Sequence, residues 1–318
     1  MLDTFLATLS PMLVMLICIA VGFVLRKTNA APENTASVLS RLELNALLPA
    51  LILKTFLTYC TVESITGQYK MVLYGLVASA LSVGMGILVA KVFAKEKNAY
   101  KIYRYALAIA NYSFLGNAIV PAIMGEEAMY AYMLFTIPLN IVNYSWAVNS
   151  LIPEGKAPAK KGWRTLLNPI CIALLAGIVL GFLDVGKIMP DFVSSALSNL
   201  AGCMGPVAML LTGFVIGGHN ISNLLKNKKV YIVALLRLVV LPTVIVAVLW
   251  LLGADNSVLF MGMFAFSTAL GLNTVIVPAA HGGDTRVGAS MAMISHMGAM
   301  VTIPLLYAVL TTLLGGIG

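Results

Sequence analysis

The stretch ALAIANYSFLGNAIVPAIMG, residues 106–125, and its partner FMGMFAFSTALGLNTVIVPAA, residues 260–280, decide how this chain is read. Both are apolar enough to lie in a bilayer, and both carry residues that a plain membrane helix avoids. Gly116 and Asn117 stand near the middle of the first, Gly271 and Asn273 near the middle of the second, and a proline follows each pair, Pro121 and Pro278. Proline removes a backbone donor and clashes with the preceding turn, and glycine permits a bend. Asparagine amides can satisfy freed backbone groups or hold a ligand. Irregular backbone at membrane depth survives only where protein or a wet cavity covers it. The pattern predicts two broken helices, with helix breaks at Pro121 and Pro278, and a binding site between them. Half-helix N-termini carry partial positive charge and favour an anion. For either helix alone, an ordinary proline kink is the plainer alternative.

The rest of the chain agrees with a bilayer setting. Of 318 residues, 60% are hydrophobic and 10% charged, and the mean hydropathy is +0.96. Soluble domains carry about 25% charged residues, so the polar surface here is too small to cover a water-soluble globule. A spanning helix needs about 20 mostly apolar residues. Segments 4–25, 36–57, 69–93, 105–124, 128–151, 168–186, 199–220, 230–252, 257–280 and 288–314 are expected to span. The fold class expected is an all-α polytopic membrane protein with ten transmembrane helices. The start, MLDTFLATLSPML, has no basic stretch before its apolar run and reads as a first membrane helix, not a cleaved leader. Cys18, Cys60, Cys171 and Cys203 form no C-x-x-C pair and read as small buried hydrophobes.

The net charge of +8 is a topology signal rather than a nucleic-acid patch. With the N-terminus outside, the inside loops and helix ends hold Arg26, Lys27, Lys91, Lys95, Lys97, Lys101, Arg104, Lys156, Lys160, Lys161, Arg164, Lys226, Lys228, Lys229 and Arg286. The outside holds only Lys54, Lys70 and Lys187. A bacterial-type inner membrane with both termini extracytoplasmic is therefore expected.

Internal matches divide the chain in two. Pro11 and Pro169, Pro49 and Pro206, and Pro121 and Pro278 are separated by 158, 157 and 157 residues. TIPL recurs at 136–139 and 302–305. Five helices per copy is an odd number, so the second copy, 156–318, enters the membrane opposite to the first, 1–155. This is a 5+5 inverted repeat, an architecture of many secondary transporters.

At this point the sequence resembles the auxin efflux carrier family, which takes in plant auxin carriers and bacterial malonate- or malate-permease-like members. The resemblance is carried by GFVLRK at the end of segment 1, SRLELNALLPALIL in segment 2 and NYSFLGNAIVPAIMGEEA in segment 4. NPICIALLAGIVLG, GPVAMLLTGFVIG, LRLVVLP and TIPLL continue it in segments 6, 7, 8 and 10. Ala118 departs from the family's proline two residues after the segment 4 glycine, and Glu43 from a commonly apolar position. The resemblance implies a fold like that of the bile-acid carriers and the sodium–proton antiporter, in which helices 4 and 9 cross at broken centres. It implies a scaffold and homodimer face from helices 1, 2, 6 and 7, a moving transport domain from helices 3–5 and 8–10, and an elevator-like cycle. Its substrates are small organic anions, carboxylates such as malate, malonate or auxin-like acids. Carried over residue by residue, the crossing-site candidates are Asn111, Gly116, Asn117, Asn273 and Pro278, and Gly271 and Thr274 join Asn111, Gly116, Asn117 and Asn273 as substrate-binding candidates. No cofactor is implied.

Ionisable residues inside spans are costly and are functional candidates. Glu43 reads as a coupling site for a proton or sodium, or as the partner of Arg41 or Arg237. Arg237 reads as a snorkelling side chain or a counter-ion for a carboxylate. His296 reads as a hydrogen-bonded packing residue. His219, His281 and His296 have no ligand spacing, so no metal site is expected. Gly282-Gly283-Asp284 lacks the partner aspartate of a membrane aspartyl protease, and no hydrolase motif appears, so an enzyme is not expected. A channel, or a sensor that retains a carrier fold, are the alternatives.

Overall fold

The computed structural model describes residues 1–94, 96–153 and 167–315. Lys95, Lys156, Lys160, Lys161 and Arg164, and the expected repeat boundary at 155/156, lie outside them. In chain order the principal helices are α1 (Leu2–Lys27), α2 (Thr35–Tyr59), α3 (Val62–Phe93), α4 (Lys97–Ala108), α5 (Tyr112–Met124) and α6 (126–150). Then come α7 (Pro169–Phe182), α8 (Asp191–Gly217), α9 (Lys228–Leu251), α10 (Asn256–Ser267), α11 (Asn273–Ala280) and α12 (Arg286–Leu313). Among the described residues there is no strand, only one isolated antiparallel bridge between Ala110 and Leu270.

Six of these helices, α1, α2, α3, α8, α9 and α12, are long and apolar enough to cross a membrane. The other four expected segments depart from a single long helix for identifiable reasons. Segment 4 is split into α4 and α5, and segment 9 into α10 and α11. Segment 6 retains 14 helical residues in α7. In segment 5, α6 runs regularly over Glu126–Val142 and then widens into a π turn at Asn143–Ala147.

Local chemistry sets the helix ends and widenings. Thr61 and Ser64 cap α3 reciprocally, each side chain bonding the other's backbone N–H. Asn168 caps α7 with Pro169 at its first position. Asp255 caps α10 through the Val258 N–H. Two further π turns, Glu43–Leu47 in α2 and Leu236–Val240 in α9, lie just before Pro49 and Pro242. A proline ring clashes with the carbonyl four residues back, here Asn45 and Leu238, and each lies in the widened turn.

Packing is close where glycine allows it. A Cβ on Gly22 of α1 would collide with the Leu210 carbonyl of α8, and one on Gly213 with the Ile19 carbonyl. These two helices therefore touch backbone to backbone. Helix α2 packs on α7 and α8, α3 on α4 and α6, and α9 on α10 and α12. Large apolar side chains remain exposed along α1 (Leu13, Val14, Ile17), α3 (Leu73, Leu76, Leu88) and α7 (Ile172, Leu175, Val179). Apolar surface on this scale needs a cover, and lipid supplies it.

Candidate functional site at the crossing of two broken helices

The two breaks meet. Helix α4 ends at Ala108, and the chain runs extended through Ile109 before α5 begins with Asn111 at its cap. Helix α10 ends at Ser267, Thr268 is extended, and the chain leaves helix until Leu272 leads into α11 at Asn273. The Ala110–Leu270 bridge joins them, and the Asn111 N–H donates to the Ala269 carbonyl at 2.8 Å. Four half-helix ends therefore converge on one point, and backbone groups freed by one break are partly satisfied by the other.

The breaks lie upstream of the prolines that announced them. Pro121 and Pro278 sit inside regular helix, in α5 and α11. Pro121 is the tenth residue of α5 and Pro278 the sixth of α11, so each removes an interior backbone donor without ending its helix. The glycines serve close approach rather than bending. Gly116 leaves room for the Tyr132 hydroxyl, which donates to the Tyr112 carbonyl at 2.9 Å. A Cβ on Gly271 would come within 3.1 Å of the Tyr105 ring and 3.5 Å of the Ile109 carbonyl, so its absence lets the breaks approach.

A cavity of about 140 Å³ opens at the crossing, lined by Tyr105, Asn111, Ser113, Asn143, Gly271 and Asn273 among others. The two crossing asparagines are already engaged. Asn111 Nδ2 lies 3.0 Å from His296 Nε2, and His296 Nδ1 lies 2.7 Å from the Ala292 carbonyl. Only an Nδ1–H tautomer satisfies both contacts, with Nε2 accepting from the asparagine. Asn273 Nδ2 donates to Tyr105 Oη at 2.8 Å, which donates in turn to Asn143 Oδ1 at 2.9 Å. The Thr274 hydroxyl is spent on the Gly271 carbonyl at 2.9 Å, and Thr274 is fully buried.

Asn117 lies away from this chain of bonds. It lines a second cavity of about 420 Å³, with Tyr112, Ser113, Thr136, Asn140 and Cys171, between α2, α5, α6 and α7. Tyr112 and Ser113 line both cavities. At the start of α5, the N–H groups of Tyr112, Ser113 and Phe114 have no acceptor among the described residues. Such open N–H groups are the usual anion-binding feature of a helix N-terminus.

Arg237 is fully buried and does not snorkel. Its Nη1 donates to the Leu107 carbonyl at 2.9 Å and approaches Ser82 Oγ at 3.4 Å, while Ser82 Oγ donates to the Ala108 carbonyl at 2.7 Å. The guanidinium also lies 5.7 Å from the Phe266 ring centroid, at the end of α10. It therefore closes the C-terminal end of α4, where a cation opposes the dipole's negative pole. Nε and Nη2 have no partner among the described residues.

Glu43 is fully buried in α2, and neither carboxylate oxygen has a partner there. The expected pairing with Arg41 or Arg237 is absent among the described residues. Arg41 is exposed on its helix, and Arg237 is committed to α4.

Ser82, Tyr105, Ser113, Tyr132 and Asn143 were not singled out from the sequence. A signal existed for Asn140 and Asn143, which are amides inside an apolar span. For Ser82 and the tyrosines it did not, because their role depends on which helix they face.

The family model for membrane transport proteins matches residues 7–161 and again residues 157–307. No curated protein matches the chain. Covered from residue 7 to residue 307, the chain belongs to this membrane transport protein family, the auxin efflux carriers, a family of transporters rather than enzymes.

Proposed function

We propose that this transporter carries small organic anions, carboxylates such as malate, malonate or an auxin-like acid, and that the anion binds at the crossing. The observation that carries the reading is the open first turn of α5, where the Tyr112, Ser113 and Phe114 N–H groups begin beside the Asn111–Asn273 cavity. Drug-sized ligands occupy pockets of roughly 300–1,000 Å³. A cavity of about 140 Å³ is better matched to a three- or four-carbon acid than to an indole acid. Ser113 and Tyr112, shared by both cavities, would stay with the anion as access alternates.

In this reading ten spans form a 5+5 inverted repeat, with α4–α5 and α10–α11 as its two crossing helices. Helices α1, α2, α7 and α8 form the scaffold and the homodimer face, and the remainder moves as an elevator. The membrane is a bacterial-type inner membrane with the basic face inside. Gly116, Asn117, Gly271 and Thr274 shape the crossing. Arg237 supplies fixed positive charge near it, and Glu43 is the coupling residue.

The test is the current in proteoliposomes after a concentration jump of malate, malonate or indole-acetate, with radiolabel uptake as the electroneutral control. A saturable signal that is lost in Asn273→Ala is expected. No uptake of any of the acids by the native protein would overturn the anion assignment. Glu43→Gln is expected to flatten the pH dependence of uptake, and an unchanged pH profile would remove Glu43 from the coupling step.

A further inference from the structure

A third polar space lies at the basic face and shares no lining residue with the crossing cavity. It has a volume of about 450 Å³, and His219, Asn220, Asn223, Asn227, Arg286 and Ser290 form its polar wall. Cations from three helix ends gather there. Lys27, at the end of α1, donates through Nζ to the His219 carbonyl at 2.9 Å. Arg26 lies beside Gly218 of the wall, where a Cβ would come 3.5 Å from Nε, and its buried Nη1 has no partner among the described residues. Lys226 donates to Asn223 Oδ1 at 3.4 Å, which leaves the Asn223 amide hydrogens as donors.

Two helices also start at this wall, α9 after Asn227 and α12 after Thr285; neither N-cap side chain caps its helix, and the Arg286 N–H at the start of α12 is taken by Asp284 Oδ1 at 2.9 Å. The Ser290 hydroxyl is turned onto the Leu224 carbonyl and fixes that part of the wall. The opposing charges are few and already engaged. Asp284 is held by the Arg286 side chain at 2.7–3.1 Å, and Glu33 by Arg26 at 3.2 Å. Burial first, then Lys27 and Arg26, push the His219 imidazole's pKa below its ordinary value, with Asp284 opposing them.

We propose that this pocket binds a phosphate-type oxyanion, either the headgroup phosphate of an anionic lipid or free phosphate. Basic pockets between helices on the inner face suit such headgroups, and amide donors with the N-terminus of α9 suit their oxygens. The ligand would touch the turn after α8 and the start of α12, with the end of α1 tied to them through Lys27 and the His219 carbonyl, so binding fixes these ends to one another. A stabilised fold is the consequence, because a ligand that binds only the native state raises its melting temperature.

The experiment is thermal unfolding of the delipidated protein in neutral detergent. The additions are phosphatidylglycerol, phosphatidylcholine or millimolar inorganic phosphate, with potassium chloride matching ionic strength. A rise of several degrees with phosphatidylglycerol alone assigns a lipid headgroup, and a rise with inorganic phosphate assigns a free anion. The Lys27→Gln/Arg286→Gln protein is expected to lose that rise, and the charge-keeping Lys27→Arg/Arg286→Lys protein to retain it. An equal rise with phosphatidylcholine, or a full rise in the Gln/Gln protein, would overturn the site.

Discussion

The two breaks, so alike in sequence, are finished in opposite ways. At the first, the freed α4 carbonyls of Leu107 and Ala108 are taken by a buried guanidinium and a hydroxyl, Arg237 and Ser82. The α5 N–H groups beyond it are left open. At the second, neutral groups close most of what is freed. Asn111 N–H takes the Ala269 carbonyl, Ser295 Oγ takes the Leu270 N–H at 3.0 Å, and the Gly271 and Leu272 carbonyls take the first amides of α11. The first break is charged and open, the second neutral and filled. The two breaks thus share a sequence pattern and differ in how their freed backbone groups are met.

Arg237 is the largest lever on that difference. Arg237→Met removes the charge and keeps most of the volume. A hydrogen bond to a charged group is worth about 1.5–3 kcal/mol, so uptake is expected to fall by roughly ten- to a hundredfold. Stability is expected to fall by about 1–3 kcal/mol, because the buried Leu107 carbonyl loses its donor. Native-like uptake by a well-folded Arg237→Met protein would mean that the charge difference between the breaks has no transport role.

Gly116→Ala comes next. Its Cβ would occupy the place of the Tyr132 hydroxyl, and overpacking of this kind costs about 1–3 kcal/mol. The double change Gly116→Ala/Tyr132→Phe is expected to recover much of the melting temperature, since it removes the atom in conflict. If the double variant melts no higher than the single one, the contact with Tyr132 is not what requires glycine at 116.

Ser113→Ala tests the open side directly. Ser113 faces both cavities and has no side-chain hydrogen bond among the described residues, so its removal should leave folding unchanged. One neutral hydrogen bond contributes about 0.5–1.5 kcal/mol. The expected result is a rise in KM of up to about tenfold with little change in maximal rate. An unchanged KM would move the anion away from the start of α5.

How much of this was legible beforehand depends on the length scale of the signal. Apolar runs and basic loops are one-dimensional, and they revealed the membrane class. The paired motifs at Gly116-Asn117 and Gly271–Asn273 marked the right helices, because Gly, Asn and Pro are each unfavourable in an uninterrupted span. They misplaced the breaks, because Pro121 and Pro278 sit inside α5 and α11, whereas the non-helical residues at 109–111 and 268–271 look like ordinary apolar helix. Nothing local marks Ile109 or Ala269. Their conformation is set by the cross-pairing of two strands of chain about 160 residues apart. The snorkelling reading of Arg237 failed for a related reason, because the carbonyls awaiting it belong to α4.

The smallest expected effect lies at the second break, and it is the most specific. A Cβ on Gly271 would stand 3.1 Å from the Tyr105 ring, tighter than ordinary contact, but a ring edge can shift by a few tenths of an ångström. Gly271→Ala should therefore cost less in stability than Gly116→Ala, below about 1 kcal/mol. Tyr105, however, is the middle member of the Asn273–Tyr105–Asn143 chain, and moving its hydroxyl lengthens two bonds of 2.8 and 2.9 Å at once. The change should then appear in uptake more than in melting, and a further Tyr105→Phe substitution should add little to it, since the two changes disturb the same hydrogen bonds. Additive losses from Gly271→Ala and Tyr105→Phe would separate the glycine from that chain and return it to a purely backbone role, holding the second break against the Ile109 carbonyl.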